Sequence, residues 1–148
     1  MNVLKTSPAS ACALCGIPID SQYFDVADIK DLPNPGDEAL LAEFQLPGQY
    51  CGVLECFSQF TDRFFTNPSE VQTPGLEWRL LVDGRPLPPY VAMEAILNPW
   101  GVGSYPVRIR LPEAARLEFS VRRRPDSESN NITKVGGRIS GRYWFPYA

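Results

Sequence analysis

A chain of 148 residues with a net charge of −3 is one domain's worth of protein, able to bury about 70% of its unfolded surface without staples. It contains no histidine, which removes Ser-His-Asp and Cys-His catalysis, histidine metal ligands and the commonest general base near neutral pH. It has no apolar run of about eighteen residues, and residues 1–14 lack the basic start and long apolar core of a signal peptide. The protein is therefore expected to be made and kept in a cytosol, away from membranes.

Fifteen prolines and eleven glycines interrupt nearly every apolar run before it reaches helix length. That is the punctuation of many short strands and turns. Residues 1–36 show little period-two alternation and read as an extended N-terminal arm, with 21–32 compatible with a short helical turn that carries Phe24, Ala27 and Ile29 on one side. Half of such an arm, at about 3.3 Å per residue, would reach ~60 Å and exceed the ~40 Å width of a domain this size.

Residues 37–148 read as a β domain. The first strand is expected over 38–46, stopped by Pro47-Gly48. The stretch 49–60 follows, where Tyr50, Val53, Cys56, Phe57 and Phe60 are too irregular for one clean period, so a bulge or bend is expected near Gly52. A loop over 61–74 carries Phe64-Phe65. Leu76, Trp78, Leu80 and Val82 then alternate with polar residues, and Asp83-Gly84 is the strongest two-residue hairpin signal in the chain. Residues 85–87 return briefly before Pro88-Pro89 stops pairing. The run 90–97, YVAMEAIL, is assigned to a strand because its neighbours are strands, and 98–105 is a turn-dense loop carrying Trp100.

The clearest pattern is 104–124, SYPVRIRLPEAARLEFSVRRR. Val107, Ile109 and Leu111, then Leu117, Phe119 and Val121, fill every second position, with Arg108, Arg110, Arg116, Glu118 and Arg122 between them. Since strand side chains alternate between faces, this reads as a hairpin with one core face and one face open to water or a partner. After a polar tip at 125–131, the last strand is expected over 132–145 with a bulge at Gly136-Gly137; Ile139, Gly141, Tyr143 and Phe145 face one way and Arg138, Ser140, Arg142 and Trp144 the other. About eight strands at this spacing point to an all-β fold, a jelly roll or a related antiparallel β-sandwich.

The charge is uneven: residues 105–148 hold nine Arg/Lys against four Asp/Glu, a net +5, which leaves −8 for residues 1–104. Such asymmetry suits nucleic acid or a complementary copy of the same chain. Because the basic residues alternate with core residues and the chain is acidic overall, solvated outer strand faces are the simpler account, and nucleic acid is not an expected partner. Acid pairs such as Asp37-Glu38 are expected in any chain with 17 acids. The sequence shows no Gly-rich phosphate loop, EF-hand or dinucleotide fingerprint, so an enzyme is not expected.

Four cysteines form two close pairs, Cys12-x2-Cys15 and Cys51-x4-Cys56. Together they could complete a tetrahedral zinc site, and the first spacing matches a metal knuckle. The second does not, because residues five apart on a strand point to opposite faces unless a bulge intervenes. Buried free thiols are preferred, and no cofactor is expected. Trp78 is in phase with Leu76 and Leu80 and belongs to the core. Trp100, in a loop, and Trp144, on the arginine face, are the rings expected to be exposed, for a neighbouring copy or for stacking on sugar. With Arg108, Arg110 and Arg122 they are the partner-binding candidates.

The phrases LEWRLLVDGRPLPPY, LNPWGVGSYPVRIRLPEAARLEFSVRR and VGGRISGRYWFPY, spanning 76–147, resemble small virion proteins of tailed bacteriophages, whose jelly-roll domains stud capsids or sit at the neck and tail. These are strand-and-turn phrases, and no active residue is carried over with them. The resemblance implies a non-enzymatic capsid decoration or cement protein, with a neck or tail-attachment protein as the alternative. Its partners would be copies of itself and a capsid or neck protein, and its location the virion after synthesis in the host cytoplasm. A carbohydrate-binding receptor module is the competing reading from another class.

Overall fold

The computed structural model describes residues 16–63, 72–97, 104–128 and 131–146. Eight strands are formed: β1 (Gln22–Asp31), β2 (Glu38–Gln45), β3 (Cys51–Thr61), β4 (Leu76–Val82), β5 (Arg85–Pro86), β6 (Tyr105–Leu111), β7 (Arg116–Arg123) and β8 (Lys134–Trp144). They make two antiparallel four-stranded sheets, the first ordered β1-β8-β3-β6 and the second β2-β7-β4-β5. β1 pairs with β8, β2 with β7, β3 with β6 and β4 with β5. The chain thus runs like one long hairpin rolled into two sheets, closed by β3–β8 and β4–β7 pairing. That is the connectivity of a jelly roll, a β-sandwich in which successive long strands change sheets.

Between the sheets lie Leu41, Leu54, Phe57, Leu76, Trp78, Leu80, Leu117, Phe119, Val121, Val135 and Ile139, all buried. Phe119 stands at the centre, its ring 5.5 Å from Phe57 and 6.1 Å from Trp78. The Trp78 indole N–H donates to the buried Thr73 hydroxyl at 3.0 Å, so the large ring leaves no orphan donor in the core.

Several expectations change. β6 and β7 are not a hairpin: they lie in different sheets, and residues 112–115 cross from one to the other. Each strand has one apolar face, and those faces bury as well by meeting across the core as by lying side by side. The crossing is pinned where Ala114 N–H donates to the Tyr50 carbonyl at 2.9 Å and Leu46 N–H donates to the Ala115 carbonyl at 3.0 Å.

Of the arm expected over 1–36, residues 1–15 lie outside the described residues, and the helical turn expected at 21–32 is corrected. Gln22–Asp31 is an edge strand whose ten residues pair with β8. Phe24 and Val26 point inward opposite Gly141 and Ile139, but Asp28 and Lys30, in phase with them, overhang the core and are exposed. Half of the strand therefore carries no hydrophobic signal. Residue 17 also belongs to the domain, since Ile17 is buried against Val53 and Trp144.

β3 carries the irregularity expected near Gly52, between Leu54 and Cys56, but the bulge expected at Gly136-Gly137 is absent, since pairing is unbroken there, and a second irregularity falls between Leu40 and Ala42 on β2. Gly137 serves close approach instead, because a Cβ there would meet the Phe119 ring at 2.4 Å. Asp83 and Gly84, at φ of 53° and 78°, make the expected tight turn. Residues 90–97 form no continuous strand: they make only isolated bridges, Leu87↔Tyr90, Trp78↔Met93 and Gln72↔Ala95, of which Trp78↔Met93 joins them to β4.

Candidate partner-binding surfaces

Both sheets have charged outer faces, and the arginines singled out above are divided between them. Arg108 and Arg110 are exposed on β6, an edge of the first sheet. Arg122 is exposed on β7 in the second sheet, 3.9 Å from Glu77. The two groups face away from each other across the sandwich, so no single partner surface gathers all three.

On the first sheet, Arg142 reaches from β8 to β3 and donates to both carboxylate oxygens of Glu55, at 2.8 and 2.7 Å. This pair is partly buried and holds the guanidinium in one plane. The hydrogen bond to Glu55 raises the Arg142 pKa further. Arg138 makes the same two-pronged contact with Asp25 at 2.7 Å for each bond, and that hydrogen bond holds the Asp25 carboxyl below its ordinary range. Ile29 and Phe60 remain exposed where they flank Gly136.

The second sheet's outer face is closed by its own pairs. Glu38 takes two hydrogen bonds from Arg79 Nη2, at 2.8 and 2.7 Å, and one from the Ser120 hydroxyl at 2.7 Å. Burial pushes its carboxyl up, but the Arg79 and Ser120 hydrogen bonds outweigh this and the pKa falls. Arg116 pairs with Glu43 at 2.6 Å and Arg124 with Glu94 at 2.7 Å. Much of this face's charge is spent internally, as in an ordinary solvated strand face.

Trp144 is not exposed. It points outward with the arginines as expected, yet only 6% of it is accessible because Ile17 and Val53 cover it. This removes one of the two rings offered to sugar; the other, Trp100, lies outside the described residues.

Cys12 and Cys15 also lie outside them. The irregularity after Leu54 puts Cys51 and Cys56 on the same outer face: Cys51 sits beside Trp144, and the Cys56 Sγ is 2.7 Å from the Ser140 hydroxyl. Their partners on β8 are four residues apart, a separation of about 13 Å along a strand. Thiolates around zinc lie at about 2.3 Å from the metal, so this geometry does not bring Cys51 and Cys56 to one ion. Burial pushes the Cys51 thiol up, away from the thiolate form. Among the described residues, no group of three or more Cys, Asp or Glu converges as metal ligands would.

Sequence reasoning missed a depression on the first sheet's outer face, where Ile17, Val53, Pro106 and Val107 meet Glu55, Arg108 and Arg142. It is built from segments more than thirty residues apart at the β3 irregularity, and no local pattern in the sequence marks it. The sequence matches no protein-family model and no curated protein.

Proposed function

We propose that the protein is a non-enzymatic structural component of a tailed-bacteriophage particle, a decoration or cement protein that stabilises the head shell, with neck or tail attachment as the alternative position. The observation that carries this reading is the rolled eight-strand connectivity, an architecture used by capsid and lectin domains, found in a chain whose second half resembles small virion proteins. The link from fold to role is an analogy. The surface supports assembly better than sugar binding, because Trp144 is covered while Ile29, Phe60 and the β6 arginines stand on one outward face. A sandwich of this kind is a rigid spacer. Set across the seam between shell subunits, it would add contacts that must break before they separate.

Mass spectrometry of purified particles tests the reading directly. High copy number, comparable with the shell protein, is the expected result and indicates decoration; a few copies per particle would move the protein to the neck or tail; absence from the particle would overturn the reading.

A further inference from the structure

A strand at the rim of a sheet carries a row of unpaired backbone groups, and proteins blunt such rims with prolines, bulges or very short strands. Three of the four rims here are blunted in that way: β6 holds Pro106, β2 shifts register between Leu40 and Ala42, and β5 is two residues long and includes Pro86. β1 is not. Its ten residues, QYFDVADIKD, contain no proline and pair with β8 without a break, and among the described residues no strand pairs with its other side.

The open side is marked at Ile29. Its N–H donates to Oδ1 of the neighbouring Asp28 at 2.8 Å, so a side chain supplies the acceptor that a further strand would supply. Backbone groups alternate in direction along a strand, hence residues 27, 29 and 31 present their N–H and C=O to the open side. The Ile29 side chain is 58% exposed on the outer face, level with Phe60, 45% exposed, across Gly136. Asp28 and Lys30, of opposite charge and both exposed, flank it on the other face.

We propose that β1 is a self-association edge, to which a second copy of this chain adds its own β1, antiparallel about a two-fold axis through Ile29. In that register each Ile29 faces its counterpart, each Asp28 faces Lys30 of the other copy, and each Val26 faces Leu32 of the other copy. Ile29 N–H leaves Asp28 and donates to the opposite Ile29 carbonyl, which frees the Asp28 carboxylate for Lys30. On the outer face the two Ile29 side chains join the two Phe60 rings in one apolar stripe across the axis. Val26 and Leu32 lie at the margin of the core, so their pairing extends it.

The order of residues along β1 selects a second copy as the occupant. Opposite charges and apolar pairs facing each other across a ladder are favourable, and like charges are unfavourable. An axis at Asp28 or Lys30 would set that charge against itself; an axis at Ala27 or Val26 would set Asp28 against Val26 or Phe24. The Ile29 axis avoids all of these conflicts, so the charges specify one register and one partner. The complementarity lies in the order of the two charges about Ile29 and does not depend on the net charge around them. Asp25 and Asp31 are paired within the sheet, with Arg138 and Lys134. The inference concerns the isolated chain and goes beyond the particle reading, which it does not require.

Sedimentation velocity on the full chain from about 1 to 100 μM is the test. A monomer–dimer equilibrium is expected, weakened about tenfold or more by Ile29→Pro, which removes the amide at the axis without removing a bond to β8. Asp28→Lys or Lys30→Asp alone sets like charges opposite and should weaken the dimer about fivefold or more. Mixed in equal amounts, those two variants should form a heterodimer about as tight as the parent dimer, because every opposed pair is again of opposite sign, and Ile29→Pro in either should abolish it. A chain that stays monomeric at about 100 μM, a dimer indifferent to Ile29→Pro, or charge variants that do not recover on mixing overturns the proposal. If a variant loses its fold by circular dichroism, cross-linking with a short bismaleimide supplies the comparison. Ile29→Cys should then give a covalent dimer above the background of the four native cysteines, while Tyr23→Cys, whose counterpart in this register lies past the end of β1, should stay at background. Equal cross-linking from both positions, or from neither, overturns the axis. A monomeric chain found in particles removes this edge and leaves the particle role standing; a dimer with this register in a protein absent from particles does the reverse.

Discussion

Replacing Gly137 by alanine probes the tightest contact between the two sheets. Gly137 lies on β8 in the first sheet, and Phe119 faces it from β7 in the second. A Cβ at Gly137 would fall 2.4 Å from Phe119 Cδ1, 2.7 Å from Cε1 and 2.9 Å from the Leu41 Cβ. Phe119 has little room to retreat, being fully buried with Phe57 and Trp78 against its ring. Overpacking a dense core costs about 1–3 kcal/mol, while alanine offsets roughly 0.4–1 kcal/mol by restricting the unfolded chain. The expected net loss is about 1.3 kcal/mol, or a fall in Tm of about 3–5 °C for a chain of this length. Phe119→Leu should be destabilising alone but should relieve the clash, so the double variant should lose at least about 1 kcal/mol less than the two single losses combined. Urea unfolding at constant m-value measures all three. Gly48→Ala, where a Cβ meets nothing within 4 Å, is the control and should stay within about 0.5 kcal/mol of the parent. A neutral Gly137→Ala, or losses that add within about 0.5 kcal/mol, would refute the idea that this contact limits how closely the sheets approach.

The remaining expectations are as follows. Arg108→Ala with Arg110→Ala should cost no more than about 1 kcal/mol each, as exposed strand charges do, whereas Phe119→Ala should cost about 3–5 kcal/mol; thermal melts of both variants check the assigned faces. Because the Glu38 carboxyl is held below its ordinary 4.5 in the folded protein, the stability it contributes is present above that pH and is lost as pH falls through its folded value. Glu38→Gln should therefore flatten the acid limb of a stability–pH profile, and an unchanged limb would remove Glu38 as its source. Deleting residues 1–15 should leave the sandwich folded by circular dichroism, but deleting 1–32 should unfold it, since that cut removes β1 and the buried Phe24. Metal analysis should find less than about half an equivalent of zinc; a full equivalent, with a large loss of Tm on chelation, would reverse this.

What the sequence determined by itself was the buried face of each strong strand. Leu76, Trp78 and Leu80, and Leu117, Phe119 and Val121, are buried at every second position as their alternation required, and Asp83-Gly84 turned where its chemistry allowed. Period-two alternation is local, so one strand suffices to reveal it. The same pattern says nothing about which strand lies alongside, and it took the tertiary structure to place β6 and β7 in opposite sheets. β1 stayed hidden because only Phe24 and Val26 of its inward positions reach the core, the rest of an edge strand needing no apolar side chain. Trp144 points outward as its phase demanded, but its burial depends on Ile17, more than a hundred residues earlier in the chain. The depression beside Arg108 lies where register shifts fall in neighbouring strands. Such shifts are set by pairing between distant segments, and that is why its members looked in sequence like unrelated residues of three separate strands.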